Sequence, residues 1–372
     1  MDITPFFKLM VDKGASDLFF SVGAPPNIKI EGMIAPVGKS PLTSQQMVEI
    51  ALSLLNDEQR KEFESTMELN MALSLNGVGR FRINLFRQRG DVSMVARYIK
   101  SDIPSIEQLN LPLILQSMVM ELRGLVLIVG ATGSGKSTAL AAMIDYRNQH
   151  HRGHILTIED PIEYIHLHKK SIVDQREVGI DTLTYDNALK NAMREAPDVI
   201  LIGEIRERSS MKHAIAYAET GHLCISTLHA NNANQALDRI INFFPDDARQ
   251  QILMDLSLNL RAIISLRLVP GMEKQRIAAV EILLNTPYVA DLIEKGKLDE
   301  IKDVMARSTE QGMQTFDQAL LKLYQRGSIS KENAIKFADS KNNVGLQIRL
   351  NAEGGLETPD DNLTIESDEL DK

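Results

Sequence analysis

The chain has a single cysteine, Cys224, among 372 residues. One thiol forms no internal disulfide and no thiolate cluster for zinc, so Cys224 reads as a small buried residue. Long apolar runs are also missing: none approaches the ~18 residues of a membrane span, so no transmembrane segment is expected. Positive charge is in deficit, with 41 Lys and Arg against 50 Asp and Glu and a net charge of −9. That balance argues against a surface that binds nucleic acid or anionic lipid wholesale, while leaving a local basic groove open. The start, Met1-Asp-Ile-Thr-Pro5, lacks the positive flank and apolar core of a secretion signal, which points to a reducing cytoplasm. Internal repeats are absent too. What is present is 44 % hydrophobic residues, ample for real cores, in a chain long enough for two domains.

The order of patterns divides the chain. Thr4-Pro5, the apolar face Phe6 to Val11 and Gly14 read as an N-cap, a first-turn proline and a terminated helix. Short apolar runs at Asp17–Val22 and Ile28–Ile34 read as strands, and Thr43 with Gln46 makes a capping box for a helix through Leu55. Strand patterns at Arg80–Phe86 and Val92–Ile99 complete an α+β domain over residues 1–100. In the first of these Phe81, Ile83 and Leu85 point one way, so Arg80, Arg82 and Asn84 point the other, in the plain reading a solvated face. Residues 101–112, with Pro104 and Pro112 and no clear period, read as a linker. From 113 to 343 helix and strand patterns alternate: a helix to Leu122, strands at 125–129, 154–159, 198–203 and 222–227, and helices at 136–149, 184–194 and 207–219. This alternation predicts an α/β domain with a parallel sheet. Helices are expected at Pro245–Ile264, Thr315–Arg326 and Ser330–Ala338, and residues 344–372, rich in Asp and Glu, read as a disordered acidic tail.

The chemistry centres on Gly130, Ala131, Thr132, Gly133, Ser134, Gly135, Lys136, Ser137 and Thr138, which follow five apolar residues and open a helix. This is the phosphate-loop spacing G-x-x-x-x-G-K-S. Its glycines let main-chain N–H groups curl around phosphate oxygens, Lys136 is placed to reach the β- and γ-phosphates, and Ser137 to bind Mg²⁺. A second cluster, Ile158-Glu159-Asp160-Pro161-Ile162-Glu163, puts three carboxylates at a strand's carboxyl end, where such folds hold reactive groups and where helix capping is the plainer alternative. Asp198-Val-Ile-Leu-Ile-Gly203-Glu204-Ile-Arg206 is an apolar strand ending in an acid, the form of a Walker B motif with Glu204 in the acid's place. Thr220-Gly-His222 through Thr227-Leu-His229 is a further strand with polar ends. Its two histidines suggest metal ligation only weakly, since no cysteine or carboxylate joins them at ligand spacing.

In this order the phosphate loop, Glu-Asp-Pro-Ile-Glu, Gly-Glu-Ile-Arg and the paired-histidine stretch resemble the secretion ATPase superfamily, over residues 1 to about 340. The resemblance implies a PAS-like first domain and a RecA-like P-loop ATPase, assembled as a homo-hexamer that hydrolyses ATP with Mg²⁺. The single cysteine excludes the four-cysteine module of the extension and secretion members, and Gln311-Gly-Met-Gln-Thr-Phe-Asp-Gln-Ala319 fits the PilT/PilU branch that serves type IV pilus retraction. That branch implies a cytoplasmic protein peripheral to the inner membrane at the pilus base, with a pilus platform protein and a PilT-type retraction ATPase as partners. By motif, Glu163 resembles the general base and Glu204 the Walker B acid, with Mg²⁺ held by Ser137 and Glu204, partly through water. His229 resembles the γ-phosphate sensor with His222 in support. Glu159 and Asp160 belong to the same acidic box, Arg82 and Arg97 match first-domain arginines offered to nucleotide, and Arg194 and Arg206 are candidates within the core. The chain departs from the PilT pattern after Asn285-Thr-Pro287, where Tyr288-Val-Ala-Asp-Leu-Ile293 replaces Ala-Ile-Arg-Asn-Leu-Ile. This makes PilU-type members the nearer match and leaves an accessory subunit with little turnover as the rival reading. A nucleic-acid translocase is a third, disfavoured by the charge.

Overall fold

The computed structural model describes residues 2–353 apart from Glu31 and Lys274. Six strands, β1 (Asp17–Phe20), β2 (Asn27–Ile30), β3 (Met33–Pro36), β4 (Glu68–Leu75), β5 (Gly79–Gln88) and β6 (Asp91–Ile99), make an antiparallel sheet ordered β3-β2-β1-β6-β5-β4. Alternation in β5 buries Phe81, Ile83 and Leu85 against the helices Thr4–Asp12 and Ser44–Leu54, which contribute Phe7, Met10, Met47 and Ile50. Both halves of the Thr43–Gln46 capping box form. Thr4, in contrast, lies inside its helix. The N-cap position is Ile3, and the Asp2 carboxylate accepts from the Thr4 N–H at 2.9 Å. The helix Asp57–Thr66 and strand β4 were not legible beforehand, because in the helix only Phe63 is buried.

The second sheet holds β7 (Gly124–Val129), β8 (His154–Glu159), β9 (Ile172–Glu177), β10 (Val199–Ile202), β11 (Leu223–Leu228), β12 (Leu260–Pro270) and β13 (Arg276–Leu284), in the order β13-β12-β7-β11-β10-β8-β9. Every pair is parallel except the β12–β13 hairpin. Strands β7, β10 and β11 are buried at every position, β7 and β10 as continuous apolar runs and β11 with Ser226 and Thr227 bonded to the main chain of residues 202 and 203.

Three expectations are corrected. The helix expected over 245–264 stops at Asn259, and Leu260 onward is strand, because this segment finds backbone partners on both sides, in β7 and β13. The 101–112 stretch is not a free linker: Ile106 and Leu111 are buried in the second domain's core. The tail does not begin at 344. A helix runs Lys341–Glu353, and Val344 and Ile348, one turn apart, are buried beside Phe316 and Val269. The remainder of the expected tail, 354–372, lies outside the described residues.

Candidate functional site

Because β7, β8, β10 and β11 run parallel, the segments that follow them meet along one edge of the sheet. After β7 the chain turns through glycines. Gly130 has φ +156°, and a Cβ there would lie 2.6 Å from the Leu266 main-chain oxygen and 2.4 Å from Ser134 Oγ, so no other residue fits. Gly135, at φ +93°, precedes the helix Lys136–His150. Lys136 Nζ folds back over the loop and donates to the main-chain oxygens of Gly130 (2.8 Å) and Ala131 (3.0 Å). Burial holds its pKa below the ordinary lysine value, while the Glu204 and Glu163 carboxylates pull it back up. Ser134 Oγ is buried without a hydrogen-bond partner. An inward-turned ammonium and an orphaned hydroxyl in a glycine cradle suit the phosphates of a nucleotide.

The loop opens on a cavity of about 180 Å³, lined by Lys136 and Ser137 on one side and by Glu159, Asp160, Glu163, Glu204 and His229 on the other. Thr132 and Gly133 line it as well, whereas Thr138 turns aside to meet the Tyr164 hydroxyl at 3.0 Å. Glu204 is held from two directions: Arg206 Nε donates to Oε2 at 2.9 Å and His229 Nε2 lies 3.1 Å from Oε1. Arg206 reaches toward Asp160 as well, at 3.9 Å. Burial, and next the Lys136 charge, hold the His229 pKa below its ordinary value against the pull of Glu204. The Glu159 carboxylate accepts from Thr157 Oγ1 (2.7 Å) and Gln175 Nε2 (3.3 Å). Burial nonetheless pushes its pKa up to about 7, with Glu163 adding to the shift.

The parallel strands also separate residues that the sequence had grouped. His222 precedes β11 while His229 follows it, so the strand's six residues, at ~3.3 Å each, put them about 20 Å apart. His222 bonds instead to Thr220 Oγ1 at 3.1 Å and lies at the opposite edge of the sheet, so it does not support His229 within one protomer. Arg194 is likewise on the amino side of β10, exposed and bonded to Asn191 Oδ1 at 3.2 Å. Arg82 and Arg97 are cross-strand partners on β5 and β6, and neither lines the cavity. Arg97 donates to Asp17 Oδ1 at 2.8 Å with its side chain still 69 % exposed. Arg82 and Arg80 face β9: burial pushes the Glu177 carboxyl up, and these two guanidinium groups pull it back.

Several lining residues carried no sequence signal. Tyr164, Tyr185 and His166 all border the cavity. Burial pushes the His166 pKa down to about 4, and its Nδ1 is enclosed without a partner. Among the described residues no helix is long and apolar enough to cross a membrane.

Comparison with known proteins identifies the family. The family model described as type II/IV secretion system protein matches residues 5–341. The chain is 56 % identical over 354 residues to the type IV pilus ATPase PilU of Pseudomonas aeruginosa, covering 95 % of this chain and 93 % of that one. It is 41 % identical to the type IV pilus retraction ATPase PilT of the same organism, over 90 % of this chain and 97 % of that one. A crystal structure of the pilus retraction motor PilT with bound ADP superposes with a TM-score of 0.85 at 39 % identity, covering 91 % of this chain and 98 % of that chain. A phosphate loop, an acidic box and a Walker B strand on one sheet edge thus occur in a chain that belongs to the type II/IV secretion system protein family, on its PilT/PilU branch.

Proposed function

We propose that this protein is a Mg²⁺-dependent ATPase motor subunit that powers or assists type IV pilus retraction. One observation carries the reading: Lys136, Ser137, Glu163, Glu204 and His229 line one cavity in a chain 56 % identical, along nearly its whole length, to the type IV pilus ATPase PilU. In this reading the loop N–H groups and Lys136 bind and orient the triphosphate. Glu163 takes the proton of the attacking water, which adds in line to the γ-phosphorus as the β–γ bridging bond breaks. Glu204, gripped by Arg206 and His229, orients the water or the metal shell, and His229 senses the γ-phosphate. Ser137 and Glu204 would hold Mg²⁺, which neutralises developing phosphate charge. With Glu159 titrating near neutrality, the cavity carries less negative charge toward the triphosphate than its four acidic side chains imply.

A homo-hexameric ring is part of the proposal. The mostly exposed Arg97 then serves a phosphate group presented by the assembly, and Arg82 acts where the first domain meets β9. His222 and Arg194, on the far edge, are left for contacts between protomers. Dependence on a PilT-type partner and docking on an inner-membrane platform protein complete it. The partner dependence is motivated by Tyr288-Val-Ala-Asp-Leu-Ile293, in the helix Pro287–Glu294, where half-buried Ala290 replaces the branch's arginine. The test is to watch labelled pili in cells that keep this gene but lack a PilT-type gene. Retraction only when a partner is present, even one unable to hydrolyse ATP, supports the proposal. Efficient ATP-dependent retraction by this protein alone contradicts the partner dependence, and no effect of its deletion in any background contradicts the retraction role.

A further inference from the structure

Gln175 belongs to no motif and stands on β9, the edge strand of the second sheet. Its amide is nevertheless fully engaged with the loop that carries Glu163. Nε2 donates to the Tyr164 main-chain oxygen at 2.9 Å and to Glu159 Oε1 at 3.3 Å, while Oε1 accepts from the His166 N–H at 2.8 Å. The register explains the reach: Gln175 is opposite Thr157, so it projects on the same face as Glu159, two residues further along β8. The amide donates to a carbonyl and accepts from an N–H with one side chain; an ionised carboxylate lacks the donor and an aliphatic chain lacks both.

Other ties around Glu163 each hold the segment at a single point. On its amino side the Ile162 N–H reaches Glu177 Oε2 over a long 3.4 Å. On its carboxyl side Tyr164 is held at its main-chain oxygen by Gln175 and at its hydroxyl by Thr138, the residue after the Mg²⁺ candidate Ser137. The next residue, Ile165, donates its N–H to the Lys100 oxygen at 3.0 Å, at the point where the first domain ends. The segment from Tyr164 to His166 is therefore a junction between phosphate loop, first domain and acidic box, and Gln175 is the side chain that clamps it from both ends.

We propose that Gln175 is a positioning residue for hydrolysis, holding the main chain of residues 164–166 so that Glu163 stays aimed into the cavity. The proposal rests on Glu163 being the base. It has no direct role in nucleotide binding, because the amide is spent on the loop and Gln175 is not among the cavity-lining residues. Loss of the clamp therefore lowers turnover and spares affinity.

The experiment measures steady-state ATP hydrolysis, nucleotide affinity by calorimetry, and melting temperature for the full-length protein, for Gln175→Leu and for the isosteric Gln175→Glu. The expected result is a kcat lower by about 10-fold or more with KM and Kd within about 2-fold, the pattern of a lost transition-state alignment. Gln175→Glu, whose ionised carboxylate keeps an acceptor for the His166 N–H and loses the donor to Tyr164, should show the same loss of kcat with affinity retained. Parental kcat in Gln175→Leu overturns the proposal. So does a fall in kcat that is matched by an equal loss of affinity and a collapsed melting temperature, since an edge strand that merely lost packing behaves that way. Glu163→Gln is assayed alongside. If it keeps the parental rate, the base assignment fails, independently of what the Gln175 variants do.

Discussion

Replacing Glu159 by glutamine isolates the energetic cost of putting a carboxylate under the acidic box. Burial raises its pKa from 4.5 to about 7, with Glu163 adding to the rise, so 7 − 4.5 gives about 2.5 pH units. At 1.36 kcal/mol per unit this is about 3 kcal/mol. The direction follows from proton uptake: the folded state holds the Glu159 proton over a range where the unfolded chain has released it. Below pH ~4.5 nothing is lost; stability then falls as the pH rises through the window to ~7, and the full cost is present above it. Glutamine keeps the shape and an acceptor for Thr157 and has no proton to release. Urea unfolding of nucleotide-free parent and Glu159→Gln, at several values from about pH 5 to about pH 8, should therefore show the variant's relative stability growing by about 2.5 kcal/mol across the series. Taking the difference cancels His166, whose pKa, lowered by burial to about 4, removes stability in the opposite direction as the pH falls from 6.5. A difference that is constant with pH, or that grows toward acid, would refute this description of the site.

Lys136→Ala removes the ammonium that lines the phosphate cradle, so MgATP affinity and turnover should both fall sharply, and calorimetry with undiminished affinity would count against the assignment. Ending the chain at Asn343 strips away Val344 and Ile348, each worth roughly 1.5–3 kcal/mol of burial, so the melting temperature should drop by several degrees; an unchanged value would mean that the Lys341–Glu353 helix is not docked in solution. Arg97→Ala leaves the buried Asp17 carboxylate with Ser16 Oγ as its remaining side-chain partner, so the melting temperature should fall somewhat, while turnover should slow by ~10³-fold if this arginine serves a phosphate in the assembly. Unchanged turnover would make Arg97 a surface residue.

What could be read from the sequence was governed by how local the physics is. The phosphate loop is contiguous, and its demand for glycine at Gly130 and Gly135 arises within a few residues, so its geometry was legible. The buried strands β7 and β10 announced themselves as apolar runs. Strand β9, Ile-Val-Asp-Gln-Arg-Glu, did not, because an edge strand shows one side to solvent and mixes polar with apolar residues. The same loss of locality hid Gln175, whose three partners lie 9 to 16 residues away. His222 and His229 were grouped because they are near in sequence, although an intervening strand carries them to opposite edges. Leu260–Ile264 read as helix because the partners that make it a strand, in β7 and β13, are far along the chain. The helix from Lys341 was missed because the stretch from 344 was judged by the acidic run at its far end, although Lys341–Glu353 holds a single acid and Val344 and Ile348 are buried.

The central claim is that one cavity, bounded by Lys136, Glu163 and Glu204, hydrolyses ATP. Phosphate release by purified parent and Glu163→Gln protein, with Mg²⁺ and with the metal chelated, tests it most directly. The expected result is Mg²⁺-dependent turnover by the parent and a loss of at least about 100-fold in Glu163→Gln, with nucleotide affinity retained in the variant. Equal rates for the two proteins, or a parent that binds nucleotide without turning it over, would contradict the account.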